Sequence, residues 1–519
     1  MMGTGKSTLG RAVAERAGVA FVDLDAELER QAGVTIRQIF ENQGEAAFRA
    51  MEREAVSQEL ADPTPRVVAL GGGGLLTRTL RLLALERGTV VTLSATPAEL
   101  IRRMSGDRTR PNLGEAPAEP RLTELLEARA SAYAEAHAVI ETTGTGFEEL
   151  TTEVLRIAEL ESIAVPLGER TYAVDITPGA AEAELERTLE HLKPSRVVVV
   201  TDDNVDSLVL PRLAPALARR GEPLKVVLVS GERHKTLASV ERILRAAVEA
   251  PVDRNAVVVA VGGGVVTDVA GLAAALALRG LRWIAVPTTL LSMVDASVGG
   301  KTAVDLGNAK NAVGAFHQPS RVIVDPSLSR TETPRALRSG LAEVVKTALI
   351  GDPGLFRELG AAGAAERVVI DRDESAITRA VRSSVAVKAR VVGRDEREKG
   401  ERALLNLGHT IGHALEAEGG FERLTHGEAV SLGLVAALRI GVALGVTPAD
   451  LSIEVANLLA RLGLPIDLDH EPLDKALRWV SYDKKRQAGE LRFILVRAPG
   501  RLEITRISAG ELPNLLRPR

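Results

Sequence analysis

The feature that most restricts this chain's fold is the run AVVVAVGGG at 256–264, where an unbroken apolar stretch ends on three glycines. A stretch without polar alternation is buried on both faces, which a strand achieves in a parallel sheet covered by helices. The glycines let backbone N–H groups face a phosphate at the start of the next helix, and VVTDVAG continues there with Asp268 near its beginning. That geometry suits a dinucleotide pyrophosphate, although a glycine triplet alone is a weak signal for one. RVVVVTD (196–202), KVVLVSG (225–231) and RWIAVPTT (282–289) read as companion strands with helices between them. Residues 162–329 are therefore expected to form a Rossmann-like α/β domain.

With 519 residues the chain exceeds what a single core serves, so an α/β multidomain protein is expected. Residues 1–161 also alternate. VVAL (67–70) and TVVTL (89–93) read as short buried strands, the stretches 43–60 and 120–136 as helices, and a last helix starts in 142–150 and runs to about Leu160. A new strand and turn at 165–179 sets the boundary near 162. From about 334 onward amphipathic Ala- and Leu-rich helices dominate, and only LRFILV (491–496) reads as a strand. Residues 330–519 are thus expected to be an all-α, metal-binding domain.

The bulk numbers remove whole classes. A net charge of −4 argues against a nucleic-acid partner. The chain has no cysteine, so any zinc must be held by His and carboxylate. No apolar run was found to reach membrane-spanning length and the start does not read as a secretory signal, which leaves the cytoplasm as the default and no membrane partner.

The chain opens on Gly3-Thr4-Gly5-Lys6-Ser7-Thr8, the end of a phosphate-binding loop. Its backbone N–H groups would close around phosphate oxygens, Lys6 would supply charge, and the Ser7 hydroxyl suits Mg²⁺. FVDLDAELE (21–29) places Asp23 and Asp25 two apart at a strand end, where alternation could aim one at a metal and one at a substrate hydroxyl. Arg49 and Glu52 lie one helical turn apart, with Arg49 placed to grip a carboxylate. Gly71-Gly72-Gly73-Gly74 follows a strand and allows a ligand close to the backbone, DRTRPNL (107–113) reads as a lid carrying Arg110, and EARASAY (127–133) carries Arg129.

Over nearly the whole of residues 1–160 this set resembles shikimate kinase. The resemblance implies a P-loop α/β/α domain with a parallel sheet whose first strand would precede Met1. It implies ATP and Mg²⁺ at Gly3, Gly5, Lys6, Ser7 and Thr8, with Arg110 closing onto the phosphates and Arg103 bordering the adenine. Asp25 would act on the shikimate 3-hydroxyl as base or orienter, while Arg49, Gly72 and Arg129 would hold the carboxylate and hydroxyls. Lys6, Asp25 and Arg110 would be the catalytic set, which fits a reaction driven by positioning and charge neutralisation. The lid reads Arg-Pro-Asn-Leu where the family has Arg-Pro-Leu-Leu. A catalytically silent domain that aids assembly, or another small-molecule kinase, is the alternative.

The larger part carries its own chemistry. SGERHKT (230–236) offers Glu232 and Lys235 to ribose hydroxyls and a phosphate, and the polar stretch 287–319 packs Asp295, Lys301, Lys310 and Asn311 together. Glu343 and Lys346 are one helical turn apart. Arg402, Asn406, His409 and His413 recur at i, i+4, i+7 and i+11, read as one helix face, and His426 follows. Only eight histidines exist in the chain and three lie between 409 and 426, so with Glu343 the cluster reads as a catalytic metal site of two His and one Glu with an open position.

All of 163–519 resembles 3-dehydroquinate synthase. The resemblance implies Zn²⁺ (or Co²⁺) on Glu343, His409 and His426, and NAD against Glu232, Lys235, Gly264, Asp268, Thr288, Thr289, Lys301 and Lys310. Asp295, Asn311, Lys388, Arg402 and Asn406 would surround the substrate beside the catalytic Lys301, Lys346 and His413, with Lys485 a further anion contact. Arg279 would reach the phosphate of a neighbouring subunit's substrate, which implies a homodimer. The implied reaction converts 3-deoxy-D-arabino-heptulosonate 7-phosphate to 3-dehydroquinate and phosphate, with NAD regenerated. A metal-dependent alcohol dehydrogenase, or a cyclase acting on sugar phosphates without a carboxylate, is the alternative; the basic groups Lys346, Lys388 and Arg402 favour a carboxylated phosphate.

Overall fold

The computed structural model describes residues 3–104, 119–307, 309–484 and 490–517. The chain forms two compact units, Met1–Ala173 and Val174–Arg519.

In the first unit, strand Ala20–Asp23 pairs in parallel with Arg66–Ala69, and Val91–Ser94 pairs in parallel with Ala138–Glu141. Among the described residues these are two separate pairs rather than one sheet. What unites them is a shared apolar cluster: Leu9 and Val13 of helix Lys6–Ala17 pack with Val67 from one pair, Leu93 and Ile140 from the other, and Leu150. The stretch expected to be helical over 43–60 is a longer helix, Ile36–Ala61, opened by a Thr35–Gln38 capping box and kinked at Gly44, where φ is 82°. Asp23 and Asp25 do not share a strand. Asp23 ends the strand and caps helix Leu24–Ala32 by accepting from the Ala26 N–H at 3.4 Å, and Asp25 belongs to the helix, so strand alternation does not aim the pair.

The second unit is built on parallel strands in the order Tyr172–Ile176, Arg321–Val324, Arg282–Pro287, Val257–Gly262, Val197–Asp202 and Leu224–Leu228. Every residue of Val257–Gly262 is buried, as its uniform apolarity requires. Helix Gly264–Leu276 leaves its end.

The polar stretch after 300 holds a hairpin, Lys301–Leu306 with Ala309–Phe316, that the sequence reading did not anticipate. Two expectations need correction here. The C-terminal region is not all helical: Glu490–Ala498 pairs antiparallel with Arg501–Ser508, and Phe493, Leu495 and Ile507 pack against helix His426–Ala443. The charged residues of Arg501–Ser508 face outward and masked its strand period. Finally, residues 402–416 are not one helix. A 3₁₀ turn, Glu401–Asn406, is separated by Gly408 (φ 78°) from helix His409–Glu418, so Arg402 and Asn406 do not share a helix face with the histidines.

Helix His426–Ala443 is long and apolar enough to cross a membrane by length and composition, against the expectation that no run reaches that length. Here its apolar residues serve a protein core, with Leu432, Ala436 and Ile440 fully buried.

Buried Glu332 gives this unit a pH-dependent stability. Its Oε1 accepts the Leu290 N–H at 2.6 Å. Burial pushes its carboxyl up to about 8, only partly offset by that hydrogen bond and by Arg372. The folded state therefore keeps the proton after the unfolded chain has lost it. Stability from this group is full below about pH 4.5 and is lost as pH rises towards about 8. Glu332→Gln is expected to remove that slope, raising stability at pH 8 relative to pH 5 by on the order of 4 kcal/mol, measured as urea unfolding at both pH values.

Candidate active sites

In the second unit three helices each deliver one side chain of a type that can ligate a metal. Pro334–Gly351 carries Glu343, His409 opens His409–Glu418, and His426 opens His426–Ala443. Their backbones cross unusually closely. A Cβ on Gly433 would collide with the Gly408 carbonyl, and one on Gly427 would collide with the Ser339 backbone. The close seating brings one ligand atom each of Glu343, His409 and His426 within 4.8 Å of one another. Glu343 Oε1 lies 3.3 Å from His426 Nε2 and 3.8 Å from His409 Nε2. That oxygen is fully buried and accepts no well-aligned hydrogen bond, while Lys346 Nζ pairs with the other oxygen, Oε2. His409 Nδ1 lies 3.2 Å from the Leu407 carbonyl, which fixes the tautomer that leaves Nε2 as a lone-pair donor. A buried carboxylate oxygen without a donor, facing two imidazole nitrogens, is the donor set of a divalent metal.

The electrostatics agree. Burial opposes ionisation of Glu343, yet Lys346 holds it below the usual carboxylate range. Burial and then Lys346 keep His409 neutral, as a ligand must be. Burial alone would lower His426, but the carboxylates of Glu343 and Glu416 on either side push it up to about 9. A cation between two carboxylates is what a bound dication would replace.

Around this centre stand buried ion pairs. Lys388 Nζ reaches both the Asp295 carboxylate and its carbonyl at 2.6 Å, and Lys388 and Lys346 together hold Asp295 ionised against burial. Asn406 Nδ2 donates to Glu398 Oε1 at 2.6 Å, and Lys301 pairs with Glu398 as well. Arg402 donates to the Gly299 carbonyl at 3.0 Å. The glycine turn adjoins this group. The Thr288 N–H donates to the Gly262 carbonyl at 3.0 Å, and a Cβ on Gly263 would lie 3.2 Å from Thr289 and one on Gly264 3.3 Å from Ala296. Lys235 Nζ meets Asp268 at 2.6 Å and Asn311 at 2.6 Å, and Lys310 Nζ meets Glu416 at 2.7 Å and Glu232 at 3.4 Å. The residues beside the glycine turn and those around Glu343 are thus linked through Lys310, Glu416 and His426, with His413 at the edge, its ring 5.0 Å from that of His409. Arg279 stands exposed on the turn Ala277–Arg279 with φ 69° and joins none of these ion pairs among the described residues. Lys485 lies outside the described residues.

Sequence reasoning missed Glu416 and Glu398. Glu416 had a readable signal, since it sits three residues beyond His413 and seven beyond His409 on the same helix face. Glu398 had none, because only the non-helical turn at φ 56° brings it to Lys301.

In the first unit, Gly5 (φ 87°) leads into Lys6, Ser7 and Thr8 at the start of helix Lys6–Ala17, with Gly3 and buried Thr4 before it. Arg103 is pinned beside this loop, donating to the Thr142 hydroxyl and carbonyl at 3.0 Å each and pairing with Glu99 at 2.7 Å. A second cluster gathers around the glycine run. A Cβ on Gly71 would lie 2.7 Å from Asp25 Oδ1 and 2.8 Å from Glu52 Oε1, and one on Gly73 would collide with Arg49. Arg49 Nη1 binds Glu52 at 2.6 Å, while Arg129 and Tyr133 donate to the Gly72 carbonyl at 3.3 and 2.7 Å. Asp25, Arg49, Gly72 and Arg129 are therefore neighbours, and burial raises the Glu52 carboxyl among them. Arg110 lies outside the described residues.

Comparison with known proteins matches the shikimate kinase family over residues 2–159, the 3-dehydroquinate synthase N-terminal family over 225–339 and the 3-dehydroquinate synthase C-terminal family over 340–486. The 3-dehydroquinate synthase of Paracoccus denitrificans (strain Pd 1222) is 42% identical over 355 residues, 67% of this chain and 95% of that protein. That of Bradyrhizobium sp. (strain BTAi1 / ATCC BAA-1182) is 43% identical over 356 residues, 66% of this chain and 92% of that protein. Among solved structures, 2-deoxy-scyllo-inosose synthase complexed with carbaglucose-6-phosphate, NAD⁺ and Co²⁺ has a TM-score of 0.61 at 26% identity, covering 69% of this chain and 99% of that one. The 2-epi-5-epi-valiolone synthase of Streptomyces hygroscopicus subsp. jinggangensis 5008, with NAD⁺ and Zn²⁺ bound, has a TM-score of 0.60 at 29% identity, covering 66% of this chain and 95% of that one.

Proposed function

We propose, for a chain that belongs to the 3-dehydroquinate synthase family and carries a shikimate kinase domain ahead of it, that it catalyses both reactions. The first unit transfers phosphate from ATP, as its Mg²⁺ complex, to shikimate. The second converts 3-deoxy-D-arabino-heptulosonate 7-phosphate to 3-dehydroquinate and inorganic phosphate. Residues 1–161 form the kinase part, 162–329 the NAD-binding part and 330–519 the metal and substrate part. The observation that carries the synthase reading is the convergence of Glu343, His409 and His426 beside Lys346, Lys388 and Arg402.

Glu343, His409 and His426 would hold the metal, which would supply polarisation of a substrate alcohol, and the glycine turn would hold NAD, which would supply reversible hydride acceptance. The chain's own residues do the rest. Lys346, Lys388, Arg402, Lys301, Asn311 and Asn406 bind the carboxylate and phosphate of the substrate and screen its charge. Asp295 keeps Lys388 in place. Glu232, Lys235, Asp268, Thr288, Thr289 and Lys310 hold the nucleotide. His413, exposed at the edge of the cluster with its Nε2 4.0 Å from Glu416 Oε2, is placed to pass a proton to or from the substrate. Exposed Arg279, with exposed Leu276 and Leu278 beside it, supports a homodimer in which it reaches the neighbouring subunit's substrate. The cytoplasm is the compartment that fits this biosynthetic pair.

In the kinase unit Lys6 and Ser7 serve ATP and Mg²⁺, Asp25 orients the attacking hydroxyl, and Arg49 and Arg129 hold the shikimate carboxylate. Arg129→Ala is expected to lower kcat/KM for shikimate about 10- to 100-fold by removing a charge-assisted contact, measured as ADP release. The deciding experiment is paired. Phosphate release from the heptulosonate phosphate with no net NADH supports the synthase, whereas stoichiometric NADH means a dehydrogenase. Shikimate-dependent ATP consumption supports the kinase, and its absence leaves that unit a silent partner.

A further inference from the structure

We propose that Glu416 is a positioning residue that accepts the Nδ1 proton of His426 and so presents Nε2 of that ring to the metal; this rests on the metal centre proposed above. A neutral imidazole that ligates through one nitrogen must carry its proton on the other, and that N–H needs an acceptor when buried. The two histidines meet the requirement differently. His409 has the Leu407 carbonyl at 3.2 Å from Nδ1. Among the described residues, no backbone carbonyl hydrogen-bonds the His426 ring. Its Nε2 faces Glu343 Oε1 at 3.3 Å, and its Nδ1 faces Glu416 Oε1 at 3.4 Å.

Glu416 is placed for this and little else. It is 2% exposed, and its Oε1 is anchored by Lys310 Nζ at 2.7 Å. Its other oxygen is buried without a hydrogen bond, 4.0 Å from His413 Nε2. Lys310 also lies 3.4 Å from Glu232, so the anchor of the metal's outer carboxylate is shared with the nucleotide side. A carboxylate behind a ligating imidazole raises the ring's basicity and restricts its rotation, and both strengthen the metal bond.

The same atoms allow a rival arrangement, because His413, Glu416 and His426 also bring ligand atoms within 4.8 Å. In that arrangement Glu416 would be a ligand through Oε2, the oxygen that Lys310 leaves open, with exposed His413 Nε2 4.0 Å away. The Glu343 set is the better enclosed of the two, since it holds no exposed member and its Oε1 lies 3.3 and 3.8 Å from the Nε2 atoms of its two histidines.

The test uses the full-length chain. Zinc affinity is measured by competition with a chromophoric chelator, and the visible absorption of the Co²⁺-loaded protein reports the ligand field. Glu416→Gln, which keeps a neutral acceptor, is expected to weaken zinc about 10-fold and to shift the cobalt bands. Glu416→Ala is expected to weaken zinc about 100-fold, and Glu416→Asp to recover part of the loss. Circular dichroism of each variant separates a folded protein with a weak site from an unfolded one. If Gln and Ala variants both bind zinc within twofold of the wild type with unchanged cobalt bands, Glu416 does not position His426. If His413→Ala weakens zinc as much as Glu416→Ala does, Glu416 is a ligand and the inference is overturned. Glu343→Gln separates the premise from the inference: unchanged zinc affinity in that variant removes the metal centre itself.

Discussion

Glu343→Gln is expected to lose bound zinc and to slow phosphate release from the heptulosonate phosphate by at least about 10³-fold, while ATP turnover on shikimate continues. The amide matches the carboxylate in shape but carries no charge, and the ion would then rest on two neutral imidazoles. The charge lost would be that of the carboxylate in the ligand set, and the ion would then supply less polarisation to a substrate alcohol. Glu343 Oε1 is the oxygen that both Nε2 atoms face, at 3.8 Å from His409 and 3.3 Å from His426. Metal content by mass spectrometry and phosphate release by a colorimetric assay check the two halves of the expectation. Stoichiometric zinc in the variant would refute it.

A second large effect is expected at Lys346. Its ammonium is 1% exposed and is held charged, against burial, by Glu343 and Asp295. Lys346→Met leaves two buried carboxylates with less compensating charge. Breaking a buried pair from one side costs about 3–5 kcal/mol, so the metal-free variant should unfold at much lower urea than the metal-free wild type. Added zinc should return much of that difference, because a dication between Glu343 and the histidines restores the missing positive charge, and binding to the folded state alone adds stability. Urea titrations with and without zinc measure both terms. A metal-free variant as stable as the wild type would show that Lys346 does not compensate Glu343. Catalysis should not return with stability, since a methionine cannot grip a carboxylate or a phosphate.

Much of the site could be read from the chain because the chemistry is locally encoded. Glu343 and Lys346 are a helical turn apart in sequence and in space, and the glycine turn at 262–264 follows its strand as a run of buried valines implies. The fold class was legible for the same reason: uniform apolarity marks a doubly covered strand. What failed were inferences that required a period to continue. The spacing of Arg402, Asn406, His409 and His413 fits one helix, yet Gly408 takes a left-handed conformation and starts a new one. Arg402 and Asn406 still come to the site, but from a 3₁₀ turn that faces Gly299 and Glu398. The hairpin at Lys301–Phe316 was unreadable because small and polar residues interrupt the apolar alternation of both strands, and the second strand has no fully buried residue. Glu398 was invisible because its partners, Lys301 and Asn406, are distant or irregularly placed along the chain.

The seating of Gly427 on Ser339 and of Gly433 on Gly408 has a bearing on inheritance and engineering. Neither glycine has a side chain to offer a reactant, yet a single added methyl at either would wedge apart the rods that aim the histidines. Inactivating lesions in this chain should therefore collect at residues with no functional group at all. A redesign that preserved every charged and ligating side chain could still fail at these two featureless positions.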